Sequence, residues 1–305
     1  MKGLGNSRNV SLAMRDRGMR PTDVAPTVPA REICDLAVHL DGSRQDENRL
    51  VFAEMLAVTF EARVEACLSQ CFAPAPLSGA FIGGWAPESL HDGDVSPGGS
   101  DERKLRARVS RIKAPSAFQR YDGMAYELAQ ALARRARTVD VFVLGQPIGR
   151  QDPRPQFVEA VLFHSSAPIF VVPPASQHRP SLQTVMIGWK DTLECSRAIT
   201  ASLPFLKQAR RVLLTSVLEG GDERPGRASA DEMATHLANH GITVEIRSLA
   251  KGKDIAGRLL EEAATVEADL VVAGAYGRSS FSEMIFGGVT RHILTHSSVP
   301  LLLAH

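Results

Sequence analysis

The sequence lacks any apolar run long enough to cross a membrane. Uninterrupted apolar stretches such as VFVL and IFVV have the length of strands, well short of the roughly 20 residues that a spanning helix needs. It also lacks an excess of charge of either sign: the formal net charge is +1 over 305 residues, so nothing predicts attraction to nucleic acid or to an anionic membrane. Because 44% of the residues are hydrophobic and 23% are charged, ordinary globular domains are expected.

Cysteine is scarce, and the four cysteines do not have the spacing of a zinc or thioredoxin motif. We therefore predict buried, reduced thiols in a cytoplasmic protein. His236 with His240, and His292 with His296, have the spacing of metal ligands on a helix, but neither pair lies in an H-E-x-x-H motif. They are interpreted as histidines on helix surfaces. No serine lies in G-x-S-x-G, so no catalytic nucleophile is assigned.

The chain contains an internal duplication. FHSSAPIFVVPP, which begins at Phe163, is answered about 130 residues later by THSSVPLLLAH, and VDVFVLG is answered in the same order by ADLVVAG. A period of this length matches a whole small domain. We predict a disordered amino-terminal arm over 1–30, a first domain over 31–174 and a second over 182–305. The arm has no continuous apolar segment, which argues against a secretory signal.

Strand and helix patterns alternate through the second copy. Apolar, β-branched runs predict strands at 184–189, 211–218, 242–249, at DLVVAG and at VPLLLA. Between them, helical spacing predicts helices capped by Thr192 and Asp254, and one from about Ala230 to His240 that ends at Gly241. This alternation predicts an α/β fold: two tandem Rossmann-like domains, each an open five-stranded parallel sheet with helices on both faces.

The loop after DLVVAG carries the pattern typical of a phosphate site. Gly274, Gly277 and Gly287 are spaced as G-x2-G-x9-G, with Gly288 next, and a helix is predicted to follow. Glycines let main-chain amides approach a phosphate closely, and the positive end of a helix dipole favours the same anion. In open parallel sheets, ligands bind at the carboxyl ends of the strands. The sequence therefore predicts an anion site at this end of the second domain.

In these motifs the sequence resembles the universal stress protein family, whose nucleotide-binding members carry G-x2-G-x9-G followed by Ser or Thr. The resemblance covers about residues 33–305 and implies a tandem form of the Rossmann-like domain, joined through the last strands as an intramolecular pseudo-dimer. It implies nucleotide contacts at the end of the first strand and along the glycine loop of the second domain. These residues are Gly188, Trp189, Lys190, Ala273, Gly274, Tyr276, Gly277, Gly287, Gly288, Val289 and Thr290.

Two departures from the family pattern concern the charge and the hydroxyl groups of that site. Lys190 stands where the family has Asp, and Gly288 stands where it has Ser or Thr. The first copy keeps an acid at Asp41, but Pro155 stands in place of Gly287 in its shorter loop. Proline has no N–H to offer an anion. The first domain is therefore predicted to be a structural half without a nucleotide.

Two functions remain open at this point. One is a cytoplasmic stress-response regulator or sensor that binds an adenine nucleotide, such as ATP with Mg²⁺, in its second domain. The other is an interaction module of the same fold without a nucleotide. At most slow ATP hydrolysis is expected, because no catalytic signature for phosphoryl transfer is recognised. No nucleic acid or membrane partner is expected, protein partners are unassigned, and further association into a homodimer is left open. The segment 72–103 is predicted to be an ordinary flexible loop, with a lid or a partner contact as the alternatives.

Overall fold

The computed structural model describes residues 32–72, 99–147, 152–174, 180–217, 224–250, 254–275 and 288–305. The predicted arm over 1–30 and residues 73–98 of the predicted loop lie outside them, and the last residues of that loop are helical, because a helix begins at Gly99. The first half of the described chain contains β1 (Asp35–Leu40), α1 (Asp46–Phe60), β2 (Arg63–Cys71), α2 (Gly99–Val109), β3 (Ser116–Gly123), α3 (Ala125–Ala136), β4 (Val141–Gly145), α4 (Arg154–His164) and β5 (Ile169–Val172). The second half contains β6 (Thr184–Gly188), α5 (Leu193–Gln208), β7 (Arg211–Val217), α6 (Arg224–Asn239), β8 (Glu245–Leu249), α7 (Ile255–Thr265), β9 (Leu270–Gly274), α8 (Gly288–His296) and β10 (Leu301–Ala304). The predicted alternation of strands and helices is confirmed.

The strands form one ten-stranded sheet in the order β3-β2-β1-β4-β5-β10-β9-β6-β7-β8. All pairs within each half are parallel, as predicted. The halves meet where β5 pairs antiparallel with β10, with Phe170 opposite Leu302. This is the pairing through the last strands that the family resemblance implies, and it turns two five-stranded sheets into a single one.

Helices cover both faces of this sheet, so the strands alternate between two apolar layers. In β4, Val141 and Val143 contribute to the layer that contains side chains of α1, α2, α5 and α6. Phe142 and Leu144 contribute to the opposite layer, with side chains of α3, α4, α7 and α8. A strand buried on both faces needs apolar residues at every position, which is why its sequence is a continuous apolar run.

Helix boundaries follow the capping residues read from the sequence. The Thr192 hydroxyl accepts a hydrogen bond from the Cys195 amide at 3.4 Å, and the Asp254 carboxylate accepts one from the Gly257 amide at 2.8 Å. Gly241 follows α6 with a positive φ of 78°, in the left-handed region that glycine enters without strain. Helix α6 begins at Arg224 and not near Ala230, because proline in a first turn loses no helical hydrogen bond.

The expectation of four buried thiols is wrong for two of them. Cys67 is buried and Cys195 is half-buried, but Cys34 and Cys71 are exposed. Cys34 precedes β1 and Cys71 is the last residue of β2, so both lie beyond the helices that cover the sheet. Among the described residues, no helix is both long and apolar enough to span a bilayer.

Aromatic side chains join the halves behind the central strand pair. The ring of Phe170 in β5 lies 6.2 Å from that of Phe205 in α5 and 6.0 Å from that of Phe52 in α1. On the other side of the junction, the side-chain amide of the buried Gln146 donates to the Ser297 carbonyl at 3.1 Å. The two halves therefore share one apolar layer across the junction.

Truncation of Phe170 is expected to destabilise both halves together. Phe170→Ala should lower the free energy of unfolding by about 3–5 kcal/mol, because it leaves a cavity between Phe52 and Phe205. Unfolding in urea, followed by far-ultraviolet circular dichroism, should remain a single transition. The control Val58→Ala, at a half-exposed position of α1, should change stability by less than about 0.5 kcal/mol. Two separate transitions would contradict the shared layer.

Candidate functional site

The candidate site lies at the carboxyl ends of β6 and β9, the neighbouring strands where the chain order of the second half reverses. From β6 the sheet continues to β7 and β8 on one side, and to β9 and β10 on the other. Gly188 at the end of β6 lies opposite Ala273 in β9. Open α/β sheets hold their ligands in the crevice that this reversal creates. Sequence reasoning placed residues from both strand ends here, and the fold does bring them together.

Gly188, Trp189 and Lys190 follow one another out of β6. The Trp189 amide donates to the Thr215 carbonyl at 2.7 Å, and its indole N–H donates to the Ser229 hydroxyl at 3.4 Å. With 8% of its surface exposed, the Trp189 side chain belongs to the core and does not offer an open face for base stacking. The Lys190 side chain is exposed, and its carbonyl accepts the Thr192 amide at 2.7 Å.

Gly274 is required by packing as well as by any ligand. A Cβ added there would lie 2.5 Å from the Cys195 nitrogen and 2.6 Å from the Glu194 carbonyl carbon, in the first turn of α5. Only glycine allows that helix to approach the end of β9 so closely. The next amide, that of Ala275, is already bonded to the Ala304 carbonyl at 2.9 Å. Helix packing thus requires a glycine at this position, whether or not its backbone also contacts a phosphate.

Helix α8 follows β9 along the chain and begins at Gly288. Gly288 and Val289 are exposed, Thr290 is half-buried, and the first turn contains no acidic side chain. Within the part of the chain that the structure describes, a Cβ added at Gly288 would meet no atom within 4 Å. Tyr276, Gly277 and Gly287 of the predicted site lie outside the described residues. A helix start of this kind is suited to an anion, because its first N–H groups have no partners within the helix.

The two histidines of each predicted pair have their rings in contact. The rings of His292 and His296 stack at 4.2 Å, and those of His236 and His240 meet edge to face at 4.8 Å. In the described ranges, no group of three or more metal-ligating side chains converges. His236, His240 and His296 are exposed and His292 is half-buried, as expected for histidines on helix surfaces.

The equivalent crevice of the first half is filled by side chains. Arg49 in α1 is 1% exposed and reaches across the end of β1, where its guanidinium donates to the Asp41 carboxylate at 2.6 Å and contacts Asp46. The Asp46 carboxylate also accepts the Asp41 and Gly42 amides, at 3.2 and 2.8 Å. Asp41, the acid that the family resemblance marks, is thus committed to an internal ion pair.

A second arginine enters the same crevice from α4. Arg154 donates to Asp152 at 2.8 Å and to the Gln45 side chain at 2.7 Å. A Cβ added at Gly145, at the end of β4, would lie 3.0 Å from the Nη1 atoms of both Arg154 and Arg49. The two guanidiniums therefore meet above the position where the second half has Gly274. We name these ionisable residues the crevice cluster: His39, Asp41, Asp46, Arg49, Asp152 and Arg154.

Burial and the Arg49 charge shift the titration of the crevice cluster. Burial, reinforced by Arg49, lowers the pKa of His39 to about 3. Burial alone would raise the pKa of Asp41, but Arg49 outweighs it and holds that pKa well below its usual range. For Asp46 burial prevails over the attraction of Arg49 and raises the pKa to about 6. Asp41 and Asp46 share the guanidinium of Arg49, so its single positive charge balances only one of the two carboxylates.

Sequence reasoning attributed the loss of the first site to proline and missed the arginines. Arg49 stands at the same distance along the chain from Asp41 as Ala198 from Lys190, so the acid and the arginine of one half correspond to a lysine and an alanine in the other. Both Arg49 and Ala198 are buried. The detectable signal was an arginine within the apolar stripe of α1, three residues after an aspartate.

Residues 200–305 match the family model described as the universal stress protein family. These residues form a universal stress protein domain. Comparison with curated proteins gives no match.

Solved structures extend the fold, though not the family match, over both halves of the chain. A universal stress protein from Archaeoglobus fulgidus DSM 4304 is 12% identical, with a TM-score of 0.65 over 90% of this chain and 98% of its own. A putative universal stress protein from Pseudomonas aeruginosa UCBPP-PA14 is 11% identical, with a TM-score of 0.58 over 89% of this chain and 93% of its own. At such identities the likeness is one of fold. The first half therefore has the architecture of the universal stress protein domain that follows it.

Two glycines of the second half, Gly188 and Gly274, should respond differently to the same methyl group. Gly274→Ala should lower the free energy of unfolding by about 1–3 kcal/mol or more, since its Cβ would collide with the backbone of α5. Gly188→Ala should cost much less, because its nearest neighbours, the Val272 carbonyl oxygen and Leu259 Cδ1, lie at 3.7 and 3.8 Å. Denaturant unfolding of both variants measures the difference. Equal costs would show that α5 does not need this glycine.

Proposed function

We propose that the chain is a regulator or sensor of the universal stress protein type, whose second half binds an adenine nucleotide at the carboxyl ends of β6 and β9. The observation that carries this proposal is the contrast between the two crevices. In the first half, two guanidiniums occupy the space above Gly145. In the second half, α8 begins with exposed residues and no acid, and a Cβ at Gly288 would lie more than 4 Å from every atom of the described residues that could obstruct it.

Main-chain groups would hold the nucleotide in this proposal. The glycine loop and the first turn of α8 would offer N–H groups to the phosphates, as the G-x2-G-x9-G spacing of the family implies. Lys190, exposed at the end of β6, is placed to add positive charge where the family has an acid. ATP with Mg²⁺ is the proposed ligand, and regulation in the cytoplasm is the proposed role.

A rival function, the interaction module without a nucleotide, is favoured by the packing of Gly274. Because α5 requires that glycine for its own close approach to β9, part of the motif persists in a chain that binds nothing. The commitment of the Ala275 amide to β10 points the same way. Lys190 and Gly288 also remove an acid and a hydroxyl that the family pattern contains. The two functions differ in whether the chain has affinity for nucleotide.

Titration of the purified full chain with ATP and Mg²⁺ by calorimetry tests the proposal. We expect saturable binding, and we expect Gly288→Ser to tighten it several-fold, because the new hydroxyl adds a hydrogen-bond donor at the phosphate without steric conflict. No heat of binding at millimolar ATP, in either protein, would favour the interaction module.

A bulky residue in the glycine loop should abolish the same binding. Gly277→Val is chosen from the sequence motif, because valine would obstruct the close approach of main chain to phosphate. Gly145 is unsuitable as a control, since a side chain there would displace Arg49 and Arg154. Gly226→Val is the matched control, because it is exposed in α6 and has no atom within 4 Å of its Cβ position. Equal affinity of both variants would count against a phosphate loop.

A further inference from the structure

Two buried polar atoms of the second half make no hydrogen bond to any residue that the structure describes. They are the hydroxyl oxygen of Thr215 in β7 and Nε of Arg258 in α7. Thr215 has no exposed surface, and Arg258 is half-buried. Folded proteins pair nearly all of their buried polar groups, because a buried group without a partner costs free energy. Two such atoms in one domain therefore indicate a polar group that binds beside them.

Thr215 lies beside Gly188, the last residue of β6, with which it pairs in the parallel ladder. Alternation along β7 places the Thr215 side chain on the same face as Leu213, in the layer that α7 covers. A Cβ added at Gly188 would have the Val272 carbonyl oxygen at 3.7 Å and Leu259 Cδ1 of α7 at 3.8 Å as its nearest described neighbours. These are ordinary contact distances, so the glycine leaves room for a small group beside the Thr215 hydroxyl.

Arg258 lies on the flank of α7 that faces β7. Glu262, one turn later on the same flank, interacts electrostatically with Arg211 at the start of β7. Because α7 connects two parallel strands of one sheet, it runs antiparallel to them. Arg258 therefore lies over a later part of β7 than Arg211, in the direction of Thr215. The unpaired Nε and the unpaired hydroxyl thus belong to one layer, between α7 and β7.

The first half fills the equivalent layer with side chains that are at most 1% exposed. The equivalence follows from the strand registers, since β1 pairs with β2 as β6 pairs with β7, and from the N-caps of α3 and α7. The corresponding residues, in order, are His39, Cys67 and Leu128 in the first half, and Gly188, Thr215 and Arg258 in the second. The second half therefore has less side-chain volume at the strand end and a cation where its twin has a core leucine.

We propose that Gly188, Thr215 and Arg258 line an oxyanion subsite, which binds a phosphate or carboxylate group of a small ligand. A guanidinium only donates hydrogen bonds, and a threonine hydroxyl can donate one as well. An anionic oxygen accepts from both, and the charge of Arg258 balances that of the ligand. The subsite borders the proposed nucleotide site, because Gly188 lies at the carboxyl end of β6, but it does not require a nucleotide.

Thermal unfolding of the full chain in inorganic phosphate tests the oxyanion subsite. As phosphate replaces chloride at constant ionic strength, the unfolding midpoint of the wild type should rise saturably, because phosphate binds only the folded state. The rise should be lost in Arg258→Leu, which installs the leucine of the first half, and reduced in Thr215→Val. Arg210→Leu is the matched control, since this exposed arginine precedes β7 at the opposite edge of the sheet. It removes the same charge and should keep the full rise.

Stability in chloride alone gives a readout that a purely structural role would not produce. Arg258→Leu and Thr215→Val should keep or raise the unfolding midpoint, because each removes a buried polar atom that has no partner. If both variants are destabilised and phosphate shifts no midpoint, a structural water pairs with these atoms and the proposal is wrong. Equal phosphate shifts in the wild type and Arg258→Leu would overturn it as well.

Titration with ATP and Mg²⁺ distinguishes the sources of the oxyanion. If a phosphate of the nucleotide enters the subsite, Arg258→Leu should weaken ATP binding about tenfold or more, as expected for the loss of a charged hydrogen bond. If ATP affinity is unchanged while the phosphate response is lost, the oxyanion belongs to a separate small molecule. Absence of ATP binding in the wild type would count against the nucleotide function, whereas the phosphate measurement decides the subsite by itself.

Discussion

The antiparallel pairing of β5 with β10 is the contact on which the architecture depends. It joins two parallel sheets at the strands that would otherwise be their inner edges, and Phe170 opposite Leu302 places apolar side chains of both halves in one layer. Exposed edges of apolar strands are a liability because their N–H and C=O groups can pair with another chain. Each half therefore provides the partner strand for the other.

This shared framework supports two different crevices. In each half the strand order reverses at a strand that ends in glycine, Gly145 or Gly274. The first half leaves a gap above its glycine, and Arg49 and Arg154 fill it with their guanidiniums. In the second half the backbone of α5 approaches the glycine directly, whereas a Cβ at Gly288, at the start of α8, would meet none of the described atoms within 4 Å. Duplication preserved the fold, while the two crevices diverged in how they are filled.

Much of the fold followed from the sequence because its signals are local. Continuous apolar runs marked strands covered on both faces, and Thr192 and Asp254 marked helix starts by a hydrogen bond to a nearby amide. The crevice cluster could not be predicted in this way, because its contacts join residues distant in sequence, such as Gln45 with Arg154. The role of Gly274 in packing was hidden for the same reason, since α5 lies far from it along the chain. A motif records which residue is present, whereas only the fold shows what surrounds it.

Because β5 and β10 pair with each other at the junction, β3 and β8 are the outer strands of the sheet. Both carry opposite charges close together: Arg120 with Asp122 on β3, and Glu245 with Arg247 on β8. A foreign strand that docked against either margin would have to strip water from these ionic pairs. Joining the two halves thus buries their apolar strand edges and leaves charged, hydrated strands at the two edges of the sheet. This arrangement opposes edge-to-edge assembly of the protein into fibres.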